Sequence, residues 1–124
     1  MASILFIALG GALGAFLRYW TGILSGMLFG TRFPVGTLVV NVAGSFIIGM
    51  TAAAVAAGKL SVFPWNDLIM QGFCGALTTF STFSMDSFQM LRQGQSLAAW
   101  GNMALSMILC LSAAALGLSV FTQA

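Results

Sequence analysis

Turn formers and charges divide this chain into four long apolar runs, covering about residues 3–29, 35–57, 65–91 and 96–121. The first ends in Gly30-Thr31-Arg32-Phe33-Pro34 and the second in Gly58-Lys59. Each run is long enough for the roughly 20 apolar residues that a helix needs to cross about 30 Å of hydrocarbon. The pattern predicts an all-α protein of four transmembrane helices in one transmembrane domain, residues 1–124. A closed β-barrel, the other architecture that satisfies every backbone group in lipid, would alternate apolar and polar residues in segments of roughly 10. The runs here are continuous, so the barrel is set aside. Pro64 suits the first turn of the third helix, and Asp67 the positive end of its dipole.

The third run is polar at its centre, where Thr78-Thr79-Phe80-Ser81-Thr82-Phe83-Ser84 holds five hydroxyls and two phenylalanines. Ser and Thr can bond back to the preceding turn and leave a helix continuous. A glycine followed by β-branched hydroxyl residues instead weakens it. The expectation is a helix broken near its middle. Such a break is tolerated at membrane depth only where it lines a cavity or is buried in protein. It presents free backbone groups suited to holding ions. Phe80 and Phe83, three apart, can face one side, and their positively polarised ring edges suit an anion.

Small residues predict the packing. Gly10 with Gly14, and Gly22 with Gly26, have the G-x-x-x-G spacing that lets helix backbones approach closely in lipid. Gly101 and Gly117 are candidates for the same role in the fourth helix.

Composition agrees with this pattern: 60% of the 124 residues are apolar and 5% charged, against about 25% charged in a soluble domain. The surface must therefore face lipid. Met1-Ala2-Ser3-Ile4 carries no basic residue and the apolar run passes well beyond Leu17, so a permanent helix is expected rather than a signal peptide. Cys74 and Cys110 both fall in apolar runs and the chain has no histidine, so they are expected to act as small buried hydrophobes. Lys59 lies on the side of the N-terminus, with Arg32 and Arg92 opposite. This weak bias leaves two topologies open under the positive-inside rule. One is a single orientation; the other is an antiparallel homodimer of oppositely inserted copies.

Polar residues within the bilayer are functional candidates by default. Arg18 has two readings: an interfacial residue beside belt aromatics Tyr19 and Trp20, or the charge of a vestibule that draws in anions. Asn41 also has two: interhelical glue, or an amide donor to an anion. Asn102, Ser106 and Cys110 share one face of the fourth helix, as either a polar pathway or a packing seam. No carboxylate sits mid-span, and no nucleotide loop, catalytic dyad or metal cluster is present, so enzyme activity is not expected.

Three stretches together resemble the Fluc (CrcB) fluoride channels. They are Gly10-Gly11-Ala12-Leu13-Gly14-Ala15-Phe16-Leu17-Arg18-Tyr19, Pro34-Val35-Gly36-Thr37-Leu38-Val39-Val40-Asn41 and the specific third-helix motif Gly75-Ala76-Leu77-Thr78-Thr79-Phe80-Ser81-Thr82-Phe83-Ser84. The resemblance covers essentially the whole chain. It implies a multi-pass protein of the cell inner membrane that forms an antiparallel, dual-topology homodimer with two pores. It implies passive fluoride export that protects against fluoride toxicity. By the same resemblance, Phe80 and Phe83 line the pores with ring edges and Asn41 is the nearby amide. Ser81 and Thr82 are hydroxyls near the pore, Ser106 belongs to a polar track and Arg18 to the vestibule. The Gly75 and Thr78 carbonyls correspond to those that hold a structural Na⁺ at the dimer interface. The implied partners are fluoride, sodium, a second copy and the lipid bilayer, with no nucleic acid. Two departures stand out: Cys110 replaces a common Ser in the track, and Asp86 replaces a common, longer Glu.

Two other readings compete. A small multidrug-type transporter also has four helices and can insert both ways, but it needs a carboxylate in the first helix, and none is present. A non-transporting assembly subunit would explain the glycines but not the hydroxyl and phenylalanine run.

Overall fold

The computed structural model describes residues 2–30 and 33–121. In order come α1 (Ala2–Phe29), α2 (Val35–Ala56), α3 (Val62–Trp65), a π-helix (Asn66–Cys74), α4 (Gly75–Leu77), α5 (Phe80–Arg92) and α6 (Ser96–Phe121). Among the described residues there is no strand. Arg32, one of the charges in the topology comparison, lies outside the described residues.

Three helices are long and apolar enough to cross a membrane: α1, α2 and α6, with mean hydropathies of 1.6, 2.0 and 2.2. At 1.5 Å per residue the 28-residue α1 extends roughly 42 Å, more than the hydrocarbon thickness. Its outward side chains, among them Leu5, Phe16 and Leu24, are exposed, as expected of a lipid-facing surface. The run predicted as a third span, 65–91, is not one helix. It consists of the π-helix and α4, an interruption at Thr78 and Thr79, and then α5.

Glycines end the helices. Gly58 and Gly94 have φ of 78° and 80°, the left-handed region that a Cβ disfavours. After α2, Lys59 N–H donates to the Ala54 carbonyl at 2.9 Å and Gly58 N–H to Val55 at 3.1 Å. After α5, Gln95 N–H donates to Met90 at 2.8 Å and Gly94 N–H to Leu91 at 3.2 Å. Both are glycine C-caps that satisfy the last carbonyls of a helix. At the start of α3, Phe63 is non-helical (φ −102°, ψ 134°), as the residue before a proline tends to be.

The centre belongs to α2, whose buried residues are mostly small: Gly36, Val40, Gly44, Gly49, Thr51, Ala53 and Ala54. It packs against α6 and α1, and α1 in turn lies along the π-helix. Backbones meet closely at these seams. A Cβ on Gly117 would overlap the Phe46 carbonyl, and one on Gly14 the Phe73 carbonyl. The first predicted glycine pair, Gly10 and Gly14, thus lies against the backbone of the third run. A Cβ at Gly22 or Gly101 would meet open space, yet the Gly22 backbone does pass close to α2, where a Cβ on Gly36 would come within 3.2 Å of the Gly22 Cα.

Candidate functional site

The interruption is two residues long, with Thr78 at φ −83°, ψ 154° and Thr79 at φ −152°, ψ 116°. It is shorter than the seven-residue polar run, because α5 restarts at Phe80. The restart has a local cause. Thr79 is the N-cap of α5, and its Oγ1 accepts from Thr82 N–H at 3.1 Å, satisfying one of the orphan donors of a helix start. The same hydroxyl donates to Thr82 Oγ1 at 3.1 Å and lies 3.2 Å from Ser81 Oγ.

Asn41 clasps the interruption from α2. Its Oδ1 accepts from Thr79 N–H at 2.7 Å, and its Nδ2 donates to the Thr79 carbonyl at 3.2 Å. One side-chain amide thus satisfies both backbone groups of the residue that leaves the helix. Of the two readings open from sequence, this geometry is the interhelical one, yet the amide keeps a second N–H beyond the one used. Arg18 acts on the other side of the break, where its Nε donates to the Ala76 carbonyl at 2.9 Å. A cation there faces the negative end of the preceding helical arm.

Two cavities flank the clasp. One, of about 380 Å³, lies between α2, α5 and α6, and its lining includes Asn41, Thr79, Phe80, Phe83, Ser106 and Cys110. The Phe80 and Phe83 ring centroids are 5.7 Å apart with planes inclined at 45°. Ser106 is 6% exposed and its Oγ has no hydrogen-bond partner among the described residues. Such a group is costly unless something else pairs with it. Cys110 borders this cavity one turn after Ser106. Asn102 does not: it is buried and donates to Ser87 Oγ at 3.0 Å, tying α6 to α5.

The second cavity, of about 550 Å³, is bordered by Arg18, Tyr19, Thr37, Thr79 and Thr82. Thr79 is therefore a wall common to both. Arg18 is half-buried there rather than projecting from the molecule's rim. Ser81 is exposed and touches the network through Thr79. Sequence reasoning passed over Thr79 and the bond from Thr37 Oγ1 to Asp86 Oδ2 at 3.2 Å. Thr79 was findable as a hydroxyl N-cap three residues before Thr82. The Thr37–Asp86 pair, 49 residues apart, left no local signal.

The Gly75 and Thr78 carbonyls share a property. Their usual helical donors, four residues on, are the N–H groups of Thr79 and Thr82. Asn41 Oδ1 engages the first and Thr79 Oγ1 the second. Backbone oxygens released in this way suit a hard cation. Gly75 is exposed and Thr78 half-buried. Among the described residues, no cluster of three or more His, Cys, Asp or Glu offers a side-chain metal site.

Residues 5–118 match the family described as CrcB-like protein, Camphor Resistance (CrcB). The chain is 51% identical over 112 residues to the fluoride-specific ion channel FluC of Vibrio cholerae serotype O1, covering 90% of this chain and 89% of that one. It is 50% identical over 117 residues to the FluC of Shewanella amazonensis, with 94% of both chains covered. It is 46% identical over 120 residues to that of Aeromonas salmonicida, covering 97% of this chain and 96% of the relative. With its long apolar helices and a match across nearly its full length, the chain is a multi-pass membrane protein and belongs to the CrcB family.

Proposed function

We propose that this protein is a passive fluoride channel of the cell inner membrane, through which fluoride leaves the cell and its toxicity is limited. The observation that carries this reading is the break at Thr78 and Thr79. Asn41 holds it, and Phe80, Phe83 and the unpartnered Ser106 hydroxyl border one cavity beside it. The curated relatives, named as fluoride-specific ion channels, support the choice of ion.

Fluoride is small and strongly hydrated, so its water shell must be replaced on entry. Ser106 Oγ–H, the second N–H of Asn41 and the ring edges of Phe80 and Phe83 are the donors for this exchange. None is a fixed cation, and conduction needs sites that an ion can leave. Arg18 stands at the neighbouring cavity, where its charge raises the local anion concentration. Its bond to the Ala76 carbonyl keeps that charge in place. Thr79, Thr82 and Ser81 supply hydroxyls at the partition between the two cavities.

The functional unit of this proposal is an antiparallel dimer of oppositely inserted copies with two pores. Phe80 is 78% exposed on the single chain, which favours a second copy covering it. A structural Na⁺ belongs to the same proposal. The Gly75 and Thr78 carbonyls would hold it, and two oxygens are fewer than the roughly six a hard cation takes, so the partner would supply more. Bound there, it would offset repulsion between anions in neighbouring pores.

Liposomes loaded with fluoride and bearing the purified protein test the reading. Rapid release on an ion-selective electrode is expected once membrane potential is short-circuited. Well-folded protein that releases no fluoride overturns it.

A further inference from the structure

We infer that the cavity beside Phe80 and Phe83 is also a binding site for a soft monovalent cation of the silver(I) or copper(I) class, held through Cys110 and Cys74. Four sulfur-bearing residues line this one space of about 380 Å³: Cys74, Met103, Met107 and Cys110. Met103, Met107 and Cys110 stand at i, i+4 and i+7 along α6, which places them on one helix face. Cys74 comes from the end of the π-helix and is 1% exposed. Both thiols are free. Ser106 brings a second, independent sign of a ligand to the same space, a buried hydroxyl oxygen without a partner among the described residues.

The donor set selects the ion. Thiols and thioethers favour soft metals. The chain has no histidine, and among the described residues no His, Cys, Asp or Glu cluster would complete the four ligands of a zinc site. Charge selects further. An uncompensated charge at membrane depth is costly. A monovalent cation that replaces the thiol proton of Cys110 gives a neutral metal thiolate. The S–H bond breaks, a metal–sulfur bond forms, and the proton leaves to water with no electron transferred. Cys74, with the Met103 and Met107 thioethers, completes the coordination as neutral donors. Because the occupied cavity borders the anion path, binding blocks conduction. This last consequence rests on the channel reading; the site itself does not.

The test uses the full chain in chloride-free nitrate buffer and silver nitrate as the probe. Bound silver is counted by elemental analysis and the silver–thiolate bond followed by ultraviolet absorption. One tight silver per chain is expected. Cys110→Ser should weaken it by more than about tenfold, as loss of a soft donor does, and Cys74→Ala and Met103→Leu with Met107→Leu should weaken it by less. In liposomes, silver should slow fluoride release by the wild type. Cys110→Ser should resist, each protein being compared with its own rate without silver. Two independent silvers per chain, one on each thiol and neither affected by loss of the other, would overturn the shared site, as would unchanged affinity in Cys110→Ser. Tight silver binding by protein that releases no fluoride would retain the site and overturn the channel reading.

Discussion

Replacing Asn41 with alanine removes the clasp on the broken segment: Thr79 N–H loses its acceptor, while the Thr79 carbonyl, as the N-cap of α5, keeps only its helical bond. An unsatisfied buried polar group costs about 1–3 kcal/mol, which sets a ceiling of about 3 kcal/mol for the one orphaned N–H. Interhelical hydrogen bonds in membranes average only about 0.6 kcal/mol, so two such bonds set a floor of about 1.2 kcal/mol. Thr79 is half-buried between two cavities, which keeps the expected loss below that ceiling, about 2 kcal/mol. Unfolding in detergent followed by circular dichroism reads this loss, and fluoride release from liposomes reads its effect on conduction. Asn41→Asp separates the two roles of the amide. It retains the acceptor for Thr79 N–H but replaces the donor with an anion. Flux should fall at least as far as in Asn41→Ala, because a carboxylate repels the ion, while the 2.7 Å bond to Thr79 N–H is kept. An Asn41→Ala protein that conducts and unfolds like the wild type would refute the clasp.

Three further outcomes follow from the same geometry. Ser106→Ala removes a buried hydroxyl that has no partner among the described residues, so stability should hold or rise by up to about 1 kcal/mol while fluoride release slows; a destabilised protein with normal release would show the hydroxyl to be structural only. Gly117→Leu drives a side chain into the Phe46 carbonyl across the α2–α6 seam and should cost at least about 1–3 kcal/mol by overpacking, measured by thermal unfolding against Gly101→Leu, whose position is open. Exchange of sodium for a large organic cation during purification should shift the protein from dimer towards monomer on size-exclusion chromatography with light scattering; a dimer indifferent to the exchange would remove the proposed ion from the Gly75 and Thr78 carbonyls.

The helices were legible because lipid imposes a simple rule: long apolar runs must span, and Gly58 marks an end through the conformation only glycine adopts readily. The interruption was legible as a cluster of hydroxyls but not in its length. The run from Thr78 to Ser84 is polar throughout, yet Thr79 caps the next helix at once and confines the break to two residues. The π winding from Asn66 to Cys74 has no signature in side-chain periodicity. It coincides with the close passage of α1, where Gly10 meets the Leu68 carbonyl, a tertiary contact invisible along the chain. Asn41 was recognisable as a polar residue in an apolar run. That its amide would pair with both backbone groups of Thr79, 38 residues away, was not, because periodicity sets the face a residue occupies and not the neighbour it meets. Likewise Asn102, Ser106 and Cys110 share a face, but α5 takes Asn102 through Ser87 and leaves the other two at the cavity.

Whether the space between Asn41, Phe80, Phe83 and Ser106 admits fluoride in preference to other anions is decided most directly by electrical recording. Purified protein in a planar bilayer, with fluoride on one side and chloride on the other, should pass current whose reversal potential lies close to that of a membrane permeable to fluoride alone. A reversal potential near zero, meaning that both halides pass alike, would contradict a pathway that replaces the fluoride water shell with these donors.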